Sequence, residues 1–213
     1  ASGASVDGNA VKVAIMASTI ESLKLQSAEE VVECFVTSSR VCEDDLPLAL
    51  RYPERWSQHI VLREWVDLAP QCELRAFVMN RKLTALCQYY TGAFFPEHFR
   101  KENREKMLSI VRKCFDEVKN RIKVNPAEYS MDLAVDLERK RAYVIELNPF
   151  GRPDGMGTGT ALFKNKDPQD LKVLFGEAPF EFRVEEAPAK ADCRAEIRGP
   201  LREWLEEQRM MDQ

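Results

Sequence analysis

From Glu97 to about Lys123 apolar residues recur at the three-and-four spacing of a helix, and a few residues later they recur at a period of two. Met107, Ile110, Val111, Cys114, Phe115, Val118 and Ile122 share one helical face, and the other positions are largely Lys, Arg, Glu and Asp, which reads as a solvated face. After Pro126, Met131, Leu133, Val135 and Leu137 alternate with Asp132, Ala134 and Asp136; the charged turn Glu138-Arg139-Lys140 follows, then Tyr143 to Leu147 with the same alternation. One segment cannot obey both periods. The chain must therefore combine packed helices with antiparallel hairpins, an α+β fold.

Other segments fit that class. Ser27 with Glu30 three residues on forms a capping box that predicts a helix through Val31, Val32, Cys34 and Phe35. Stretches 59–65, 73–79 and 83–89 read as strands, the last two joined by a turn at Asn80-Arg81-Lys82. Residues 42–57, with Pro47, Pro53 and an acidic cluster, are expected to be irregular. A short helix is predicted from Pro168 through Leu174, and a second from Pro200. Residues 1–10 are expected to be a disordered lead-in, 11–185 one domain, and 186–213 a tail with a helix. The chain opens on Ala1 rather than Met and is expected to be a piece of something longer.

Composition removes several functions. A net charge of −4 argues against a generic grip on nucleic-acid phosphates. No apolar run approaches the roughly 20 residues that cross a bilayer. Two histidines, His59 and His98, cannot build a histidine-rich metal site, and nothing around them suggests a nucleophilic triad. The six cysteines lack a C-x-x-C pair and several lie in apolar-periodic segments, so they are expected to be reduced and structural.

The chemistry concentrates on one hairpin. If it turns at Arg139, residues placed symmetrically about that point face each other, which sets Asp132 opposite Glu146 with Cβ atoms about 5 Å apart. Asn148 falls on the same face. Facing carboxylates repel unless a cation lies between them, and two carboxylates plus an amide oxygen suit a hard cation such as Mg²⁺. An exposed hairpin whose polar face happens to be acidic accounts for the pattern equally well. Arg75, in mid-strand, and Arg63, in Val61-Leu62-Arg63-Glu64-Trp65, are each either ion-paired surface arginines or charges held for a phosphate. Gly155 to Thr160 lacks both the Walker A ending and G-x-G-x-x-G spacing, and reads as a flexible loop.

The order Ile60-Val61-Leu62-Arg63-Glu64-Trp65, Glu73-Leu74-Arg75-Ala76-Phe77-Val78, Lys82 to Gln88, Met131-Asp132-Leu133 and Ile145-Glu146-Leu147-Asn148-Pro149-Phe150-Gly151 resembles the cell division cycle protein 123 family. The resemblance runs from around Val11 to around Arg183. It implies an ATP-grasp fold binding ATP and Mg²⁺ between two lobes, the N-terminal one expected to be partly missing here, with Asp132, Glu146 and Asn148 at the metal positions. Arg75, Arg63 and Asn148 would contact the nucleotide. It also implies a cytoplasmic assembly chaperone whose protein client is the gamma subunit of translation initiation factor 2. Glu146 departs from the family's usual Asp and matches the Glu-x-Asn of ATP-grasp ligases. An acyl-phosphate-forming ligase, or a non-catalytic interaction domain of a larger protein, therefore stands as an alternative.

Overall fold

The computed structural model describes residues 8–55, 59–123, 128–150 and 159–188. The residues fall into two compact units, one of Ser18–Asp67 and one of the residues up to Ala17 with Leu68 onward.

The larger unit is a five-stranded sheet in the order β4-β3-β1-β2-β5. Its strands are β1 (Glu73–Met79), β2 (Lys82–Gln88), β3 (Tyr129–Asp136), β4 (Arg141–Pro149) and β5 (Glu181–Arg183). The β1–β2 turn is tighter than the three residues expected: Met79 pairs with Lys82, and Asn80 and Arg81 both take positive φ, as a two-residue hairpin turn of matching twist requires. The strand of residues 181–183 joins β2 in parallel, a non-local pairing that no short-range pattern announces.

Helix α5 (Lys101–Val118) covers one face of the sheet with the predicted stripe, of which Met107, Ile110, Val111, Cys114 and Phe115 are buried. They pack on Leu74, Ala76, Val78, Met131, Leu133 and Val135, the even-numbered residues of β1 and odd-numbered residues of β3. The expected single helix over 97–123 is two: α4 (Pro96–Phe99) ends where Arg100 adopts extended ψ, and α5 stops at Val118. On the opposite face Phe77, Met79, Ala85, Phe150 and Phe163 form a second cluster beneath α6 (Pro168–Leu174), with Phe77 edge-on to Phe150 and to Phe163. Asp167 caps α6 by accepting from the Gln169 and Asp170 amides.

A four-residue turn joins β3 to β4, so Asp136 pairs with Arg141 rather than with the residue a turn centred on Arg139 would select. Asp136 stabilises that turn by accepting from the Arg139 backbone and guanidinium, at 2.8 and 2.9 Å. Pairing then slips by one between Leu133↔Val144 and Asp132↔Glu146, leaving Ile145 as an extra residue in β4.

The N-terminal segment differs from the expected lead-in: α1 (Gly8–Glu21) already includes residues 8–10. Asn9 ties it to the loop after β2, donating to the Phe94 carbonyl and accepting from its amide. In the smaller unit, Ser27 caps α2 (Ala28–Thr37), accepting from Glu30 N as predicted. Residues 42–57, expected to be irregular, instead include a π-helical turn over Arg40–Asp45, α3 (Leu46–Arg51) and a 3₁₀ turn, Pro53–Arg55. Pro47 sits in the first turn of α3, where its missing N–H costs nothing. The strand expected over 59–65 does not form; the stretch has no regular structure, and Ile60, Val61 and Leu62 are exposed. The helix expected from Pro200 and the loop over 151–158 lie outside the described residues. No described helix is long and apolar enough to cross a membrane.

Candidate functional site

The second face of the sheet is divided. Toward α6 it is aromatic and closed; over β1, β3 and β4 it carries Glu73, Arg75, Asp132, Glu146 and Asn148. Arg75 lies on the central strand directly across from Asp132, and its guanidinium grips that carboxylate with both ends, Nε to Oδ1 at 2.7 Å and Nη2 to Oδ2 at 2.8 Å. Nη1 donates to the Gly159 carbonyl at 2.8 Å, and the Tyr89 ring lies 4.8 Å from the guanidinium carbon. Asp132 is fully buried. Such a bidentate, desolvated pair positions its groups more than it stabilises the fold.

Glu146 and Asn148 join this pair from β4. The Asn148 amide nitrogen donates to Glu146 Oε1 at 2.8 Å and to Asp132 Oδ2 at 3.3 Å. Burial pushes the Asp132 carboxyl up; Arg75 pulls it down, and Glu146 adds to the rise. Glu73 is pushed up to about 7, chiefly by burial, with the Asp132 and Glu146 charges adding to the effect while a hydrogen bond from Tyr90 and the charge of Arg75 oppose it. Glu73, Asp132 and Glu146 thus share this part of the face with the Arg75 guanidinium.

The oxygen-rich set of Asp132, Glu146 and Asn148, with no histidine or thiolate, fits a hard cation such as Mg²⁺. The Asn148 amide bridges both carboxylates, where a cation would lie, and a half-turn about χ2 offers its carbonyl oxygen instead. Among the described residues no three His, Cys, Asp or Glu side chains close around one point. A metal here would take its remaining ligands from water or a bound anion, as Mg²⁺ does.

Beyond Arg75 the face opens into a cleft of about 670 Å³ lined by Arg75, Tyr89, Thr91, Thr160, Lys164 and Asn165, among others. Among the described residues no carboxylate lines it. Beneath Arg75, burial pushes the Cys87 thiol up to about 12, so it is inert packing. Cys34, Cys42, Cys72, Cys87 and Cys114 are all free thiols. His98 is buried and bonds the Gln71 carbonyl through Nε2, which braces α4, and burial lowers its basicity.

Of the residues predicted from sequence, Arg75, Asp132, Glu146 and Asn148 come together. Arg63 lies in the smaller unit, exposed and without regular structure. Sequence reasoning missed Glu73, Tyr89 and Lys164. Glu73 was legible as the residue two before Arg75 on the same strand face; Tyr89 and Lys164 belong to loops whose approach to Arg75 is set only by tertiary packing.

The D123 family model matches residues 12–197. The chain belongs to the D123 family. It is 28% identical over 175 residues to the translation initiation factor eIF2 assembly protein of Schizosaccharomyces pombe, covering 76% of this chain and 51% of that protein. With the protein of the same name from Danio rerio it shares 31% identity over 144 residues, 61% of this chain and 38% of the relative. This D123 chain thus spans about half the length, or less, of these relatives. Its fold is that of Cdc123 from S. pombe, with a TM-score of 0.51 and 22% identity over 82% of this chain and 68% of the other. A C-terminally truncated form of Cdc123 gives a TM-score of 0.53. The α+β architecture expected from the sequence is therefore the one observed, in the fold of Cdc123.

Proposed function

We propose that this D123 chain is the Mg·ATP-binding part of an assembly factor for translation initiation factor 2, and that nucleotide binding orders a surface for the factor's gamma subunit. The names of the relatives support the assembly role. One observation carries the nucleotide reading: an acidic, oxygen-rich patch and a cleft with cationic walls meet at Arg75. A triphosphate chelated to a divalent ion presents both complementary charges side by side.

In this reading Asp132, Glu146 and the amide oxygen of Asn148 hold the metal. Bound there, Mg²⁺ would supply positive charge linking the carboxylates to phosphate oxygens. Arg75, locked by Asp132 and the Gly159 carbonyl, offers a fixed cation at the border between patch and cleft. Tyr89 keeps one face of that cation out of water. An assembly role needs no covalent step and goes with a cytoplasmic setting.

Calorimetry with Mg·ATP, paired with capture of purified gamma subunit in its presence and absence, tests the proposal. Saturable binding and nucleotide-strengthened capture are expected; a flat titration would remove the nucleotide, and absent capture the client. The spacing Glu146-x-Asn148 favours a ligase as a second reading, which requires ADP release dependent on a small-molecule acceptor.

A further inference from the structure

The segment after Gly159 is built more rigidly than a surface loop requires. Ala161 has a φ of +52°, a left-handed conformation that a non-glycine residue keeps only where its surroundings impose it. Here the surroundings are specific. Thr160 is buried and its hydroxyl donates to the Phe163 carbonyl, while the Phe163 amide returns a bond to Thr160 O. The Phe163 ring is 1% exposed, wedged against Phe77 and covered by the Arg183 guanidinium at 4.1 Å. The Lys164 amide then donates to Asp170 Oδ2 at 2.7 Å, and Asp170 Oδ1 is held by Arg183 at 2.7 Å.

The consequence is a fixed backbone at Lys164, an exposed residue that lines the same cleft as Arg75. The nearby carboxylate of Asp170 is already engaged by Arg183 and by the Lys164 amide. Among the described residues no ion pair neutralises the Lys164 ammonium. Arg75 commits three of its five N–H groups to Asp132 and Gly159, leaving two without an acceptor among the described residues. Two cations therefore line one open cleft, and no described carboxylate lines it with them.

We propose that Lys164 and Arg75 form a phosphoryl subsite, with Lys164 the second cation that receives the oligophosphate of the ligand. The inference rests on the nucleotide reading and adds a residue to it. Lys164 acts as a point charge and Arg75 as a fixed fork, so the subsite tolerates movement of the phosphate on one side only. The Thr160–Phe163 turn and Asp170 are positioning elements that hold Lys164 on its wall.

The test is calorimetry of the whole chain and its Lys164→Met and Lys164→Arg variants against two probes, Mg·ATP and magnesium tripolyphosphate. Because Lys164 is exposed, the variants are expected to melt with wild type, and melting curves check this. Loss of a charge-assisted contact should weaken both probes roughly tenfold or more in Lys164→Met, and Lys164→Arg should stay within about threefold of wild type. Unchanged Mg·ATP affinity in Lys164→Met overturns the subsite and leaves the nucleotide reading standing. Tripolyphosphate binding that depends on Lys164, without ATP binding, keeps the subsite and removes the nucleotide. Failure of the wild-type chain to bind either probe overturns both.

Discussion

Glu146 stands across from Asp132 because Ile145 is one residue more than β4 needs to match β3. Near the turn, Ala142 and Val144 lie on the face packed by α5. Unbroken alternation would carry Glu146 and Asn148 onto that same apolar face. The bulge turns them over, putting Glu146 with Asp132 and leaving Leu147 opposite Met131 on the core side. The carboxylate pair is thus a product of backbone irregularity, in the position where bulges commonly re-aim a side chain.

Deleting Ile145 should therefore remove the bulge and keep the pairing. Leu133↔Val144 and Asp132↔Glu146 would become consecutive pairs of an unbroken ladder, with Glu146 still on the face of Asp132 and Leu147 still opposite Met131. A change of no more than about 1–2 kcal/mol in denaturant unfolding is expected, with any Mg²⁺-dependent ATP binding kept. A loss of several kcal/mol would show that Ile145 is more than a surplus residue in the ladder.

The two carboxylates should separate by variant. Glu146 is exposed and its bond to Asn148 is a surface one, so Glu146→Ala should change stability by no more than about 0.5 kcal/mol while abolishing metal-dependent nucleotide binding. Asp132→Ala leaves the largely buried Arg75 guanidinium without its carboxylate, with only the Gly159 carbonyl and the Tyr89 ring beside it among the described residues, and should cost about 3–5 kcal/mol. Chemical denaturation of both variants checks this. Equal costs would mean that Arg75 finds a new partner in Asp132→Ala or that Glu146 is structural.

Glu73 gives the unit a pH dependence of definite sign. In the fold its carboxyl keeps a proton up to about pH 7, whereas in the unfolded chain it ionises near 4.5. The folded state therefore binds more protons across that window, and its stability falls as pH rises from about 4.5 to 7, with the full penalty above 7. The interval corresponds to at most about 3 kcal/mol, reduced by the side chain's partial exposure. Glu73→Gln should remove this slope and gain stability at pH 8 relative to wild type. Parallel stability profiles for the two proteins between pH 5 and 8 would refute it.

Much of this was readable in the chain because it depends on local periods. The α5 stripe, the alternation of β3 and the Ser27 cap are each stated within a short stretch of chain, and the buried part of the stripe, the strand and the cap appear where expected. What was not readable depends on distant partners. Ile60-Val61-Leu62 has strand-like composition, yet no edge receives it; the free side of β2 is taken by Glu181–Arg183, only three residues long. The Asp132–Glu146 pairing was legible, but it arises from a four-residue turn offset by a bulge rather than from symmetry about Arg139. Arg75 was visible as a misplaced charge, while the cleft beside it required Thr160 to Asn165 to fold back from eighty residues away.

The C-terminus of α6 offers a last test, in which strain and contact can be told apart. Gly176 takes a φ of +72°, its amide donates to the Val173 carbonyl, and Glu177 N reaches back to Lys172 O at 2.7 Å, closing the helix. A Cβ on Gly176 would sit 2.9 Å from Cγ2 of Thr84, the residue left over where β1 and β2 slip register. Thr84 cannot simply swing away, since its hydroxyl donates to Leu174 O at 2.7 Å and Phe77 O at 3.2 Å. Gly176→Ala therefore combines a left-handed penalty of about 1–2 kcal/mol with a collision against a pinned side chain. Thr84→Ser keeps the hydroxyl and removes the offending methyl, so the double variant should recover the collision and retain the backbone cost. Thermal melts of the single and double variants give the division directly, and strict additivity would mean that Thr84 yields without cost.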